Sequence, residues 1–316
     1  MQRPKVSVII PVYGVEKYIE RCAISLFEQT LTEMEFIFVD DCSPDHSIQV
    51  LERIINKYPL RKNQITILHH QQNKGLPQAR QTGISRASGE FIAHCDSDDW
   101  VTLDAYESLY NLAIKNEADI VAFDDVEYYG EDKQPIYRMF DSNVTITIDN
   151  HLSTWLFKWS LCCKLIKKDI YNNPYNYIFH NHGEDMALFF QLLKYSKHCL
   201  YVPKAFYIAN KQNESISRVS SIKKEYNKFN DLKANVQLVE DFYQGSDRCI
   251  VKSIMLLKWS IMTSIIPLFK IDKSFRSIWE ESFPEVHSSI LNLMDDTFSL
   301  KERVKYLMIK VHLYPL

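Results

Sequence analysis

The sequence predicts an α/β fold in which helices flank a mostly parallel sheet, followed by a helical C-terminal extension. Strand and helix patterns alternate over the first 125 residues, which is typical of parallel strands joined by crossover helices. The predicted strands are continuous apolar runs, as expected of strands covered on both faces. After about residue 218 the pattern becomes helical and richer in lysine.

Five strands and four helices alternate in the first part of the chain. The strands are predicted at residues 6–10, 36–39, 65–68, 91–95 and 120–123. Apolar residues at helical spacing mark the helices between Val15 and Phe27, Ile48 and Tyr58, Leu76 and Ala87, and Leu103 and Ala113. The following residues, 126–175, are less regular, with short strands predicted around 136–140 and 144–148. A further helix is marked by Met186, Phe189, Phe190 and Leu193.

Composition argues against several classes of protein. Hydrophobic residues make up 46% of the 316 residues and charged residues 24%, which is ordinary for a globular protein. The formal charge of -3 gives no electrostatic reason to expect nucleic acid as a partner. Seven cysteines without CxxC spacing argue against a disulfide framework and a zinc site, and they favour a cytoplasmic location.

No segment of the sequence is expected to span a membrane. The nearest candidate, 259–269, is short and contains Pro267. Its apolar stripe could lie on the inner face of the cytoplasmic membrane or pack against its own domain or a dimer partner, and packing is favoured. The stripe consists of Lys252, Trp259, Ile261, Met262, Ile265, Ile266, Leu268 and Phe269.

Polar side chains follow three of the predicted strands. In parallel sheets, ligands bind outside the carboxyl ends of the strands. Tyr13, Asp40, Asp41, Asp96 and Asp98 stand at those ends. They should therefore gather along one edge of the sheet.

The acidic turn Asp96-Ser97-Asp98 follows a buried strand directly. Carboxylates one residue apart on a tight turn can share a hard divalent cation, Mn²⁺ or Mg²⁺, and face the ribose of a nucleotide. The cation would stabilise negative charge on a departing diphosphate. The alternative is a solvated acidic turn without a ligand.

Three further motifs, together with this turn, carry a resemblance to family 2 glycosyltransferases. They are VIIPVY at 8–13, FVDDCSPD at 38–45 and NKGLPQARQTG at 73–83. The close resemblance covers about residues 5–125 and extends loosely to about 215. It implies a GT-A-type, Rossmann-like catalytic domain at 1–218 with a nucleotide-binding half (1–125) and an acceptor half (126–218), followed by a helical region at 219–316.

The resemblance also implies roles for the residues that match the motifs. Pro11, Val12 and Tyr13 would form the wall against which the base packs, and Asp41 would accept a hydrogen bond from uracil. Arg80 would help to hold the nucleotide, as would Asp96 and Ser97 near the ribose, while Asp98, with Asp96, would ligate the metal. The alternatives are that Tyr13 only packs, that Asp41 caps a helix, and that Arg80 forms a surface ion pair.

The catalytic base is expected in the acceptor half. Residues 180–188, HNHGEDMAL, resemble the Glu-Asp motif of the family. Asp185 would take the proton from the attacking hydroxyl, with Glu184 in support. The alternative is that both acids only stabilise a helix N-terminus. A separate zinc site at His180 and His182 is not favoured, because no matching third ligand is evident.

The sequence departs from the family pattern at several positions. Gly14 stands where asparagine is often found, Cys163 precedes Lys164 in place of asparagine, and Gln81-Thr82 replaces a common Arg-Asn pair. Residues 207–217 resemble a loop that closes over the diphosphate, but Asn210 lies where arginine or histidine is frequent. That departure raises the question of how strongly the diphosphate is bound.

The expected activity is transfer of a sugar from a nucleotide-sugar donor, a UDP-sugar, to an acceptor hydroxyl by metal-assisted inverting displacement. The acceptor would be a saccharide or lipid-linked saccharide in bacterial surface polysaccharide synthesis. One alternative is an inactive sugar-nucleotide-binding or scaffold subunit. A nucleotidyltransferase is disfavoured, because residues 13–17 read YGVEK instead of a glycine-rich, basic loop.

Overall fold

The computed structural model describes residues 3–130, 136–137, 141–146, 159–212, 221–292 and 294–311. The chain divides into two compact units. The first lies within Met1–Thr147 and Leu156–Ile216, and the second contains the described residues from 221 onward. The division near residue 217 lies close to the domain boundary that we propose at 218.

The first unit is built around one mixed sheet. Its strands are β1 (Val6–Val12), β2 (Met34–Asp40), β3 (Ile65–His69), β4 (Phe91–His94), β5 (Trp100–Val101), β6 (Ile120–Tyr128), β7 (Ile136–Tyr137), β8 (Val144–Ile146), β9 (Lys164–Lys167) and β10 (Cys199–Asn210). The order is β3-β2-β1-β4-β9-β6-β10-β5, with β7 paired to β6 and β8 to β10. Strands β3, β2, β1 and β4 are parallel, whereas β9 runs antiparallel between β4 and β6.

Helices cover both faces of the parallel part. They are α1 (Ile19–Phe27), α2 (Ser47–Ile55), α3 (Leu76–Arg86) and α4 (Ala105–Lys115), followed later in the chain by α5 (Glu184–Leu193). Val8, Ile10 and Val12 share a buried core with α1, α2 and α4. Ile9 points to the opposite face and meets α3. Since both faces are buried, six of the seven residues of β1 are apolar, and the exception, Ser7, is buried and hydrogen-bonded to Glu35 and Gly89.

The predicted α/β class is confirmed, and the predicted helices and strands of the first 125 residues are all present. Three strands were not predicted, namely β5, β9 and β10. β5 has only two residues, and β9 and β10 lie in the half that lacks a clear period. The strands predicted at 136–140 and 144–148 correspond to β7 and β8, although residues 138–140 and 147–148 lie outside the described residues.

The second unit consists of helices, as predicted. They are α6 (Ile222–Phe242), α7 (Arg248–Ser264), α8 (Ser274–Glu281), α9 (Pro284–Leu291) and α10 (Leu300–Lys310). Its core contains Trp259, Trp279 and Tyr306, and the Tyr306 ring contacts both tryptophan rings. Lys258 is buried and donates to Glu240 and Glu285, each at 2.6 Å, so its charge is compensated.

The apolar stripe of 252–269 packs within this unit. Trp259, Ile261, Met262, Ile265, Ile266 and Phe269 are all buried. The expectation that no segment could span a membrane needs a correction. Over the described residues, Arg248–Lys270 is long and apolar enough to do so by length and composition, with 56% of its most apolar window buried. A core helix of a soluble protein can have the same length and composition.

Gly83 allows α3 to approach β1 closely. A Cβ atom built at Gly83 would lie 2.4 Å from Cγ2 of Ile9. Ile9 is fully buried and branched at Cβ, so it has little freedom to move aside.

We expect Gly83→Ala to lower the free energy of unfolding by up to about 2 kcal/mol, because overpacking costs about 1–3 kcal/mol and the gain in helix propensity is about 1 kcal/mol. Urea unfolding followed by circular dichroism measures the change. Ser85→Ala, at an exposed position of the same helix, is the matched control and should change stability by less than about 0.5 kcal/mol. A more stable Gly83→Ala variant would contradict the close approach.

Candidate active site

The carboxyl ends of β1, β2 and β4 lie side by side, as predicted. The Asp41 N–H donates to the carbonyl of Val12 at 3.0 Å, and the Cys95 N–H donates to the carbonyl of Ile9 at 3.0 Å. The polar residues that follow these strands therefore share one edge of the sheet.

The three residues predicted to form the base-binding wall differ in exposure. Pro11 and Val12 are buried at the end of β1, whereas Tyr13 is 47% exposed beyond it. Gly14 follows with a φ of 67°, and its N–H donates to Ser43 Oγ at 2.8 Å. Of the three, only the Tyr13 ring is presented to a ligand over much of its surface.

Asp41 is buried and organises the turn before α3. Its Oδ1 accepts from the Lys74 N–H at 2.8 Å and lies 2.7 Å from Nδ1 of His70, while its Oδ2 accepts from the Gly75 N–H at 2.8 Å. It does not cap the next helix, α2, where Asp45 instead accepts from the Ser47 N–H. A carboxylate has about four acceptor positions, so three protein donors still leave one for a ligand.

The turn Asp96-Ser97-Asp98 is held in place by the next acid, Asp99. Asp99 accepts from the Tyr207 hydroxyl and from the Asn210 N–H, both at 2.6 Å. The same hydroxyl accepts from the Asp96 N–H at 3.1 Å. Burial, together with the charges of Asp98 and Asp96, holds the pKa of the Asp99 carboxyl well above its usual range.

The support given by β10 was not predicted from the sequence. Asp99 could have been suspected only as the second acid of an adjacent pair, and its burial depends on a strand that comes about a hundred residues later. Asn210, which departs from the family pattern, contributes its backbone N–H to the turn. That contribution does not depend on the side chain. Residues 213–217 of the predicted closing loop lie outside the described residues.

Ser97 is buried, whereas Asp98 and Asp96 are partly exposed, with 39% of the Asp96 side chain accessible. Within the described ranges no group of three or more His, Cys, Asp or Glu residues could hold a metal ion. Mg²⁺ is commonly bound by one or two carboxylates that share it with substrate phosphates and water. The two accessible carboxylates of the turn therefore fit such an ion.

Arg80 joins three of the predicted site segments. The side chain extends from α3 and is only 4% exposed. Its Nε donates to Oε1 of Glu184 at 2.8 Å, and its Nη2 donates to Oδ1 of Asp96 at 2.8 Å. The ion pair with Glu184 is buried, whereas the pair with Asp96 is exposed on the side of the carboxylate.

Glu184 and Asp185 form the first turn of α5, directly after Gly183, whose φ is 75°. Glu184 is buried, and burial raises the pKa of its carboxyl to about 7, opposed by the nearby Arg80 guanidinium. Asp185 is partly exposed and accepts from the Met186 N–H at 2.8 Å. Burial also raises the pKa of Asp185, again opposed by Arg80.

The structure thus brings together acids from both halves of the predicted domain. Asp96 belongs to the nucleotide-binding half, and Glu184 and Asp185 belong to the acceptor half. A second link joins Asn181 Oδ1 to the Leu76 N–H at 3.2 Å. An exposed acidic turn beside a partly exposed carboxylate of raised pKa can bind a metal-held anion and take up a proton.

A sequence model of a known protein family matches the part of the chain that forms most of the sheet. The model of Glycosyl transferase family 2 matches residues 7–189, more than half of the chain. The chain belongs to this family. The matched range contains every predicted site residue, from Pro11 to Asp185.

Two relatives of this chain differ in how much of their own length the alignment covers. "Uncharacterized glycosyltransferase EpsJ" of Bacillus subtilis (strain 168) is 42% identical over 118 residues, which cover 37% of this chain and 33% of EpsJ. "Glycosyltransferase GlyG" of Streptococcus pneumoniae serotype 4 is 25% identical over 262 residues, covering 79% of this chain and 82% of GlyG. The chain therefore spans about a third of EpsJ but most of GlyG.

Two solved structures share the fold. S. aureus TarS 1-349 in complex with UDP has a TM-score of 0.63 at 20% identity, covering 96% of this chain and 78% of TarS 1-349. Mannosyltransferase PcManGT from Pyrobaculum calidifontis, in complex with GDP-Man and Mn2+, has a TM-score of 0.56 at 12% identity, covering 99% and 88%. At these identities the similarity establishes the GT-A fold and not the substrate.

We expect Tyr207→Phe to weaken the acidic turn, because it removes the donor to Asp99 and the acceptor of the Asp96 N–H. Loss of such buried partners costs about 1–3 kcal/mol of unfolding free energy, measurable by urea denaturation. Tyr201→Phe is the matched control, since the Tyr201 hydroxyl donates to Asp124 at 2.7 Å near the other end of β10. Both variants should be less stable, but only Tyr207→Phe should weaken binding of UDP with Mn²⁺. Equal nucleotide binding in the two variants would contradict this role.

Proposed function

We propose that this family 2 glycosyltransferase moves a sugar from a UDP-sugar to an acceptor hydroxyl in a single displacement that inverts the anomeric carbon. The observation that carries the proposal is that Arg80 bonds both Asp96 of the acidic turn and Glu184, the residue next to Asp185 in the first turn of α5. The proposal places donor and acceptor on opposite sides of that cluster. TarS, a structural neighbour, is described in complex with UDP, which supports the choice of nucleotide.

Donor binding is assigned to the exposed edge of the nucleotide-binding half. Tyr13 offers an exposed ring to the base, and the remaining acceptor capacity of Asp41 suits the N–H of uracil. Asp98 and Asp96 would hold Mn²⁺ or Mg²⁺, and the Mn²⁺ in the PcManGT complex supports this assignment. When bound, the ion supplies positive charge that stabilises the leaving diphosphate.

Asp185 is assigned as the general base. It is partly exposed at the first turn of α5, so an acceptor hydroxyl can approach it. A raised pKa makes a carboxylate a better proton acceptor. Taking the hydroxyl proton as the oxygen attacks leads to one in-line displacement, and hence to inversion. Glu184 is buried and bonded to Arg80, so we assign it a supporting role.

The acceptor is proposed to be a saccharide or lipid-linked saccharide used in bacterial surface polysaccharide synthesis. A cytoplasmic location is proposed because nucleotide-sugar chemistry and free thiols belong together in a reducing compartment. All seven cysteines are free, and five of them are buried.

The alternative is a sugar-nucleotide-binding subunit without activity. Such a subunit would bind UDP but transfer no sugar, so Asp185→Asn would have no rate to lower. We expect Asp98→Asn to lose the metal-dependent part of UDP binding in calorimetry with and without Mn²⁺. We expect Asp185→Asn to keep UDP binding while kcat for sugar transfer falls by about 10²–10⁴-fold, since a general base contributes that much. Glu52→Gln, at an exposed position on α2, is the control. UDP binding without transfer in the wild type, across a panel of UDP-sugars and acceptors, would favour the inactive subunit.

The pH dependence of kcat/KM should report on Asp185 in the free enzyme. Because a base must be deprotonated to act, kcat/KM falls as the pH drops through the pKa of Asp185. Since burial raises the pKa of Asp185, the fall should begin at a higher pH than for an ordinary aspartate. The residual activity of Asp185→Asn should lack this acid limb. An identical acid limb in that variant would show that another group titrates.

A further inference from the structure

Arg80 has a geometry that differs from that of a nucleotide-binding arginine. Two of its three guanidinium nitrogens already donate to carboxylates within the protein, at 2.8 Å each. The third, Nη1, is buried and has no hydrogen-bond partner among the described residues. The side chain is as little exposed as that of Asp41, 4% in each case, so the two occupied donors, and not burial, distinguish Arg80 from a nucleotide-binding residue.

The two carboxylates that Arg80 contacts lie far apart in the sequence. Asp96 follows β4 and is 16 residues from Arg80, whereas Glu184 begins α5 and is 104 residues away. A guanidinium is planar, and its donors point in fixed directions. Two directed bonds from one rigid group therefore fix the distance and angle between the acidic turn and α5. A lysine ammonium is a point charge on a flexible chain and would not fix them in the same way.

The negative charges around Arg80 also require a cation at this position. Asp96, Glu184 and Asp185 are close enough for each to act on the pKa of Glu184 or of Arg80. Without a cation between them, the carboxylates would repel one another and Glu184 would be left buried without its partner. A shift of α5 away from the turn would reduce this repulsion.

We propose that Arg80 is a positioning residue that ties the donor turn at Asp96 to the acceptor helix at Glu184, and so sets the distance from the bound diphosphate to Asp185. This proposal differs from the expectation, made from the sequence, that Arg80 holds the nucleotide. This inference rests on the proposed function, in which Asp185 is the base. It requires that Arg80 act on the rate of transfer and not on nucleotide affinity.

The test is a double-mutant cycle with Arg80→Gln, Glu184→Gln and the double variant, together with Arg80→Lys. UDP affinity is measured with Mn²⁺ by calorimetry, and kcat is measured for sugar transfer. A misplacement of about 1 Å can lower a rate about 100-fold, so we expect losses of that order in kcat for both single variants. The UDP Kd should change by less than about threefold. The double variant should lose little more than either single variant, because both substitutions break the same link.

Arg86→Gln is the matched control, since Arg86 lies on the same helix, is half exposed and contacts Glu35 at 3.7 Å. It should keep the wild-type kcat. Where Arg80→Gln does not fold, the cycle is completed with Arg80→Lys, which keeps the charge but not the directed bonds and should also lose kcat. Wild-type kcat in Arg80→Lys would overturn the inference, as would a UDP Kd that rises as much as kcat/KM falls.

Asp185→Asn, measured alongside, separates this inference from the proposed function. If Asp185→Asn is inactive but the effects of Arg80→Gln and Glu184→Gln are additive, the link is refuted and the base stands. If Asp185→Asn remains active while the cycle is non-additive, the assignment of the base fails. The physical link between the turn and α5 then stands without the role that we give it.

Discussion

The two bonds of Arg80 are the interaction on which the arrangement of this site depends. The carboxylates they join come from segments that do not share a strand pair or a helix, so the backbone alone does not fix their separation. Placing one cation among a buried acid, Glu184, and two partly exposed acids, Asp96 and Asp185, also offsets their mutual repulsion. The centre of the site is therefore a salt-bridge network within the protein.

The acids of the sheet edge divide into two kinds. Asp41 and Asp99 are buried and bind backbone N–H groups or a tyrosine hydroxyl. Asp96, Asp98 and Asp185 are partly exposed. Asp99 holds the turn that presents Asp96 and Asp98, whereas Asp41 holds the turn before α3. An acid in a catalytic motif can therefore serve the scaffold, the ligand or both.

The sequence was sufficient to predict what depends on local pattern. The alternation of β1–β4 with α1–α4, and the gathering of Tyr13, Asp41 and Asp96 at one edge, follow from periodicity and from the topology of parallel strands. The antiparallel insertion of β9 between β4 and β6 could not be predicted, because it depends on non-local pairing in a stretch without a clear period. The same holds for the Arg80–Glu184 bond, since a sequence does not show which acid a buried arginine will meet.

The close contact of Gly83 with Ile9 has a consequence for Arg80. The two residues are three positions apart on α3, so they lie on neighbouring parts of one helix face. The depth to which α3 settles on β1 therefore determines how far the guanidinium extends toward the acids. A substitution of Gly83 intended to raise thermal stability would also change how far the Arg80 side chain reaches. Thermal stability and turnover therefore could not be adjusted independently at this helix.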